Sequence, residues 1–420
     1  MPSSIPLDIG VIGCGTAGGA IALFLARAGH RVSVYERVPE PGPVGSGILI
    51  QPTGLAVLAR LGLDGDILAR GSRVERLHCV TRSGRKVIDI AYAALAPSLF
   101  GCGLHRGVLF DALFRAVKRE RIALHLGVAV EDLAAAPGGG RYVVDADGKR
   151  HGPHELIVVA DGARSHLRDD TTFKKRVAEY RWGALWYIGP DDERRFDGRL
   201  HQVVHTTRRL LGFLPTGVGP GENARRPLVS LFWSIRRDRH DEWKRDGLDA
   251  WKREVLSLAP EADAFLARIE RPEQLQFTTY LDVRMPRWST DDVVYLGDAA
   301  HAMSPQLGQG ANLALFDAMV LADCLLAHDS VAAALGDYTR QRRRHLGYYA
   351  LATRWLTPFF QSDYLPLGVL RDALMGPISR LPFIGREMVR SMAGMKLGLL
   401  RGSLALPAPA PALPPASTMD

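Results

Sequence analysis

A tight glycine turn between an apolar strand and an apolar helix constrains this chain more than any other feature. The segment from Leu7 to Leu25 runs from Asp-Ile-Gly-Val-Ile through a turn into Ala-Ile-Ala-Leu-Phe-Leu, with Gly13, Gly15 and Gly18 in G-x-G-x-x-G spacing. The first glycine permits the turn, the second lets a phosphate approach the backbone, and the third lets helix and strand pack closely. The helix start, at Thr16 and Ala17, presents free amides and partial positive charge to the phosphates. A second strand is expected over 31–36. It ends in Glu36, 18 residues after Gly18, with Arg37 beyond it. Glu36 is placed to accept the hydroxyls of an adenosine ribose. The bland alternative is a glycine-rich turn without a ligand. The flanking strand, the helix and the terminal acid favour dinucleotide binding and an α/β fold class built on a Rossmann-type sheet.

A second stretch, from Val293 to Leu315, reads as a buried strand, a glycine-rich loop and a long helix through Leu321. Asp298 closes the strand after Gly297, where its carboxylate can take a ligand hydroxyl. Pro305, Gly308, Gln309, Gly310, Ala311 and Asn312 lead into the helix, whose first amides have no intrahelical partner. An anion held at a helix start and a polyol hydroxyl on a strand-end acid together describe a reduced flavin with its ribityl chain. An ordinary strand–loop–helix connection is the other reading of this stretch alone.

At 420 residues the chain has room for two or three domains and a sizeable core. Its 23% charged content is that of an ordinary globular protein. A net charge of +8 is compatible with an acidic partner or a membrane surface. The arginines are spread thinly, which argues against nucleic acid. The one cluster, Arg340 to His345, reads as the solvated end of a helix. Cys14, Cys79, Cys102 and Cys324 have no Cys-x-x-Cys spacing, so no metal, redox dithiol or disulfide framework is expected. That pattern, with a start free of a basic, apolar leader, suggests a cytoplasmic setting. No uninterrupted apolar run reads as long enough to span a bilayer.

Between these stretches, Pro39 to Gly47 is a Pro/Gly loop expected beside the flavin ring, followed by a strand and a helix with Leu55, Leu58 and Leu61. Residues 73–92 read as a hairpin turning at Ser83-Gly84. Arg106, just before a helix, could pair with a pyrophosphate, or could be a plain surface arginine. Residues 141–159 read as a hairpin with an Asp147-Gly148 turn. They lead into a buried strand, Asp161-Gly162, and a helix start with Ser165 near its cap. Residues 180–280 change character: Trp182, Trp186, Tyr187, Phe213, Phe232, Trp233 and Phe277 sit on β-rich segments. These predict a mostly antiparallel sheet lining an aromatic pocket, although any single ring is as readily plain core. A helix over about 243–268 should pack on that sheet. Residues 337–402 read as helical, broken by Pro358, Pro366, Pro377 and Pro382. They form either a helical cap or a peripheral membrane contact.

Three separated motifs agree on a family. Gly13-x-Gly15-x-x-Gly18 with Glu36, then Val-Val-Ala-Asp161-Gly162-Ala-Arg-Ser, then Tyr-Leu-Gly297-Asp298-Ala-Ala-His-Ala-Met-Ser-Pro305, resemble the single-component FAD-dependent aromatic hydroxylases. This is the p-hydroxybenzoate-hydroxylase-like group, which also includes the ubiquinone-biosynthesis hydroxylases. The resemblance covers roughly residues 5–335. It implies a discontinuous FAD-binding domain over 1–75, 100–178 and 280–335. An inserted, mostly antiparallel β substrate domain would take 76–99 and 179–279, with C-terminal helices over 336–403 and a disordered tail over 404–420. It implies that Gly13, Gly15, Thr16, Ala17, Gly18, Glu36 and Arg37 hold the ADP half of FAD. Arg106 would lie near the pyrophosphate, and Asp161 and Gly162 would serve FAD and NAD(P)H. Gly297 and Asp298 would take the ribityl chain. Pro305, Gly308, Gly310, Ala311 and Asn312 would surround the ring. The implied reaction uses NADH or NADPH and O2 to hydroxylate an electron-rich, fairly apolar substrate through a flavin C4a-hydroperoxide. His205 and Tyr187 are candidate bases, although core or surface roles fit each. The sequence sets no oligomeric state.

Other readings remain alongside. A flavin halogenase would carry Trp-x-Trp-x-Ile-Pro, which is absent here. A flavin reductase acting on a C=C bond would oxidise NAD(P)H without incorporating oxygen. A flavin-binding sensor would show no substrate-stimulated NAD(P)H oxidation.

Overall fold

Runs of Val, Ile and Leu bounded by glycine build a sheet buried on both faces, as parallel strands require. In a computed structural model of the chain, residues 6–169, 175–221, 223–399 and 402–406 are described. Five parallel strands lie in the order Val293–Tyr295, Leu156–Val159, Asp8–Ile12, Arg31–Glu36 and Ile122–Leu126. Helices Thr16–Arg27, Arg106–Arg119 and Gly310–Ala327 pack together beside it. A three-stranded meander, Val130–Ala135, Arg141–Asp145 and Arg150–His154, packs against the sheet through Tyr35, whose hydroxyl lies 2.8 Å from His154 Nε2. Because the strands are parallel, the carboxyl ends carrying Gly13, Glu36, Asp161 and Asp298 all open on one edge.

The second sheet is mostly antiparallel, as expected. Its order is Gln276–Arg284, Arg176–Pro190, Leu228–Arg236, Arg209–Pro215, Gly198–His205, Ser72–Thr81, Gly101–His105 and Gly47–Ile50, with Lys86–Ala91 paired to Ser72–Thr81. The one parallel pair joins Gly198–His205 to Ser72–Thr81. Strands Gly47–Ile50 and Gly101–His105 hydrogen-bond into this sheet, although the sequence division grouped both with the nucleotide-binding segments. Side chains alternate across it. Leu185, Leu211, Phe213, Leu231 and Trp233 face a helical cover, while Phe232 packs on the other side. That cover is not the single helix expected over 243–268. It is His240–Asp246, Leu248–Leu256 and the single turn Asp263–Leu266. Gly247, at φ +84°, makes the first break, and Pro260 follows the second helix.

The C-terminal helices are Val331–Phe360, Leu365–Ser379 and Pro382–Met392. Only two of the four prolines act as expected. Pro366 and Pro382 sit in first turns, where the missing N–H leaves nothing unpaired, whereas Pro358 and Pro377 lie inside the final turns of their helices. Leu404, where the tail was expected to begin, donates its backbone N–H to Met395 O at 2.7 Å; the tail beyond 406 lies outside the described residues. Helix Gly310–Ala327 is long and apolar enough by composition to cross a membrane, contrary to the sequence reading, but it is largely buried inside the protein.

The Arg340–His345 cluster differs most from expectation. It lies inside the long helix, not at its end, and Arg342 and His345 are buried. Arg342 Nε donates to Asp317 Oδ1 at 2.7 Å. The other Asp317 oxygen accepts from the Gly297 amide at 3.0 Å and lies 2.6 Å from His301 Nε2. Burial alone would raise the Asp317 carboxyl, but His301, Arg342 and the Gly297 amide together hold it well below the carboxylate range. Arg342→Ala would leave a buried charge short of its partner. A loss of about 3–5 kcal/mol in urea unfolding at pH 7 is expected. A depressed carboxyl stabilises the fold fully above the unfolded value near ~3.9, and that contribution fades as pH falls below it. Acid titration of Asp317→Asn should therefore show a flatter stability profile below about pH 4. An unchanged profile would mean that water reaches the pair.

Candidate functional site

The three glycine-bearing motifs converge at the open edge of the parallel sheet. A side chain on Gly13, whose φ is +91°, would meet Ala160 O at 2.7 Å and Asp161 Cα at 2.9 Å. One on Gly18 would meet Gly13 O at 1.9 Å, so helix and turn pack as tightly as the spacing predicts. Gly297, at φ +57°, brings the third motif against Ala17 and Ala314, each 3.2 Å from where a Cβ would stand. Gly15 is exposed and its Cβ position touches nothing within 4 Å, which leaves the backbone approachable by a phosphate. Thr16 begins the helix beside it. Glu36 accepts from the Cys14 amide at 2.8 Å and the Val38 amide at 3.0 Å, so its carboxylate braces the glycine turn, with Arg37 exposed next to it.

Asp161 follows its strand directly. Burial pushes its carboxyl up, and its Oδ1 atom has no hydrogen-bond partner among the described residues. The helix expected after Gly162 is absent: Ser165 lies in a turn, its amide donating to Gly162 O at 3.1 Å, and a 3-10 turn Leu167–Asp169 follows. The sequence reading missed Arg168. It is buried, and it donates to Ala163 O at 2.6 Å and to Ala299 O at 2.8 Å, tying the Asp161 loop to the Asp298 turn. An arginine seven residues past the strand-end acid was the only sequence signal for it.

Asp298 begins a single helical turn, Asp298–His301, and is exposed. Its Oδ1 lies 3.8 Å from where a Gly310 Cβ would stand, so strand end and helix start share one rim. Pro305, Gly308 and Gly310 are exposed along that rim, and Ala311 is half-buried. Asn312 lies in the first turn of this helix. Its side chain is taken up by the Gln51 amide at 2.8 Å, Leu49 O at 3.0 Å and Gly308 O at 3.2 Å. It clamps strand Gly47–Ile50 to the helix, leaving only its backbone for a ring. Gln309, buried alongside, donates to Met392 O at 2.8 Å while its Oε1 has no partner among the described residues.

Arg106 is the first residue of its helix, not a residue before it, and is exposed. Its amide donates to Ser46 O at 3.0 Å, and its stem packs on Gly45. His105 caps this helix, its ring accepting the Gly107 amide at 3.0 Å; burial lowers its pKa and favours the neutral acceptor. A cavity of about 300 Å³ joins this loop to the large sheet, bounded by Gly45, Ser46, His105, Trp186 and Gln276. Trp186 Nε1 donates to the Tyr280 hydroxyl at 3.1 Å and its ring lies 5.4 Å from Phe232. Burial pushes the Tyr280 phenol up to about 12. Of the candidate bases, Tyr187 reaches this cavity but packs edge-on to Phe265, and His205 is exposed at a strand end.

This donor set fits a flavin dinucleotide. The turn at Gly15 suits a pyrophosphate, Glu36 a ribose, Asp298 a polyol and the Gly310 helix start a ring anion. The partnerless polar atoms Asp161 Oδ1 and Gln309 Oε1 belong to the loops around it.

Comparison with known proteins agrees. A family model described as FAD binding domain matches residues 6–347. The chain is 29% identical over 338 residues to a probable 2-heptyl-3-hydroxy-4(1H)-quinolone synthase of Rhodococcus erythropolis, covering 79% of this chain and 83% of that one. It is 30% identical over 387 residues to kynurenine 3-monooxygenase of Salinispora tropica, covering 80% and 76% respectively. Its fold is that of Klebsiella pneumoniae HpxO, solved with FAD, at TM-score 0.76 and 22% identity over 92% of this chain and 99% of the other.

Asp298→Ala removes an exposed carboxylate and should leave the fold intact. FAD affinity should fall about 10- to 100-fold, the worth of one or two charge-assisted hydrogen bonds. Flavin absorbance per protein after gel filtration reads this directly; full retention would remove Asp298 from the cofactor site.

Proposed function

The chain belongs to the FAD-binding-domain family of flavin-dependent aromatic monooxygenases, and on that premise we propose that its substrate is a flat, largely apolar aromatic ring held between the Pro305 loop and the large sheet. The observation that carries this is the Trp186, Phe232 and Tyr280 cluster on strands reaching the Gly45–Ser46 loop. Quinolone and kynurenine in the names of two relatives are consistent with a ring of this kind.

The enzyme uses FAD with reduced nicotinamide as co-substrate. When bound, FAD supplies hydride acceptance and the activation of dioxygen. Two electrons come from NAD(P)H, one oxygen atom enters the product, and the other leaves as water. The chain's own part is binding, orientation and exclusion of water. Gly15 and the Thr16 helix start would hold the pyrophosphate, Glu36 the ribose and Asp298 the ribityl chain. The free amides from Gly310 to Asn312 would stabilise negative charge on the ring, since they are fixed before charge develops. The C-terminal turn closes over this loop: Gln309 donates to Met392 O, and Thr53 Oγ1 donates to Ala393 O at 3.3 Å. A cytoplasmic setting is part of this reading, supported by four cysteines that are all buried free thiols.

With dioxygen carrying a heavy isotope, a panel of phenols, quinolones and anthranilates should include a compound that stimulates NAD(P)H oxidation and gains one labelled oxygen. Reduction of the compound without label would instead support a reductase.

We propose in addition that the C-terminal helices touch an anionic lipid surface. Val369 is 73% exposed and Phe383 58%, with Leu374, Ile378 and Leu381 also outward. Arg380 and Arg386 are exposed among them, while the nearby acids Asp363 and Asp372 are paired with Arg236 and Arg371. This is the pattern of an interfacial helix pair. The protein should float with phosphatidylglycerol vesicles, and Val369→Ser with Phe383→Ser should abolish flotation. Equal behaviour of both proteins would sink the idea.

A further inference from the structure

A second groove lies away from the nucleotide edge, between strand Gln276–Arg284, the segment that follows it and helix Val331–Phe360. Its volume is about 580 Å³, within the range of small-molecule sites. Met285, Trp288, Met303 and Leu346 give it apolar walls. Its rim carries five cations, Lys175, Arg176, Arg284, Arg343 and Arg354, of which Lys175 is paired with Asp169 outside the groove, against one lining carboxylate. That carboxylate, Asp282, accepts from Arg284 Nε at 2.8 Å and lies 3.9 Å from Arg354, so it is shared between them. Arg354 Nε is buried and without a partner among the described residues. A surplus of positive charge with an unused guanidinium donor calls for an anion.

The helix itself keeps the groove open. Residues 343, 347, 350, 351 and 354 fall on one face at helical spacing and line the groove together. Gly347 lies well inside a 30-residue helix, where glycine is the poorest choice after proline. A Cβ added there would meet nothing within 4 Å. Packing therefore does not demand glycine at 347, whereas a ligand lying along this face would.

We propose that this groove is a second binding site, and that it takes a flat aromatic acid. The ring system lies among Trp288 and the two methionine thioethers, which favour aromatic faces and edges. The carboxylate meets Arg354, a charge-assisted contact. The site reaches the chemistry from behind. Met303 is two residues from Pro305, and the intervening Ser304 is buried. An occupant thus contacts the segment that leads into the rim of the flavin site.

The test is calorimetric titration of the purified full-length enzyme with 2-naphthoate and with uncharged 2-naphthamide, away from turnover. The acid should bind at least ten-fold tighter than the amide. Gly347→Leu, whose Cβ meets nothing within 4 Å and whose side chain projects into the groove, should remove this binding, and Arg354→Gln should erase the preference for the acid. Flavin content serves as the folding control for both variants, and it keeps a failure of this site distinct from a failure of the cofactor assignment. Equal affinity for the two probes, no binding of the acid, or intact binding in Gly347→Leu would each overturn the proposal.

Discussion

The Asp317 carboxylate, wholly removed from water, ties together parts of the protein that are far apart in sequence. It receives the Gly297 amide from the loop before Asp298, His301 from the following turn and Arg342 from the long C-terminal helix. A lone buried charge is too costly to keep, so each partner is obligatory for the others. The Gly297 amide is the link that matters for function. Gly297 holds φ +57°, and the same carboxylate that pairs with Arg342 fixes that peptide just before Asp298. The position of a surface carboxylate at the open edge of the parallel sheet is thus set by an ion pair in the core.

The network continues toward the C-terminus. Arg342 Nη1 meets His345 Nδ1, and His345 Nε2 meets Gly394 O at 2.8 Å. A backbone carbonyl only accepts, so the proton resides on Nε2 and Nδ1 takes the guanidinium hydrogen. Burial and the adjacent Arg342 charge push this imidazole down to about 3, which agrees with the neutral tautomer. Gly394 lies beside Thr53, where a side chain would meet Thr53 Oγ1 at 2.1 Å. The turn after the last helix is therefore pinned over the helix that follows strand Gly47–Ile50. The C-terminal region is thus a structural support of the Gln309 and Thr53 segments.

What could be read from the sequence is what local chemistry determines. The turn at Gly13, the acid at Glu36 and the strand-end residues Asp161 and Asp298 each depend on neighbours a few positions away, and periodicity located the strands that carry them. The mostly antiparallel sheet was legible from the aromatic, β-rich segments over 180–280. What escaped was long-range. Nothing near Arg342 in sequence indicates a buried carboxylate 25 residues earlier, and a basic run is normally solvated, so Arg340–His345 was read as a helix end. Asn312 was placed beside the ring as part of a helix start, and nothing local shows where its side chain goes. Its actual partners, Gln51 and Leu49, come from a strand more than 250 residues away. The break at Gly247 was overlooked because apolar periodicity resumes immediately after it.

The same distinction explains why the site is assembled from such separated motifs. Parallel strands require crossover connections, so strands adjacent in the sheet are separated by at least a helix's length of chain. Asp8–Ile12 has Leu156–Val159 on one side and Arg31–Glu36 on the other, and Val293–Tyr295 joins only at the edge. Each crossover had room to grow, and the large sheet occupies two of them. A ligand laid across the carboxyl ends must then touch all of these segments at once. A cofactor as long as a dinucleotide does so, and in bridging them it would join the same segments that Arg168 and Asp317 already hold together from below. Binding and folding thus draw on one set of contacts, with the polar clamps setting the loops before the ligand arrives.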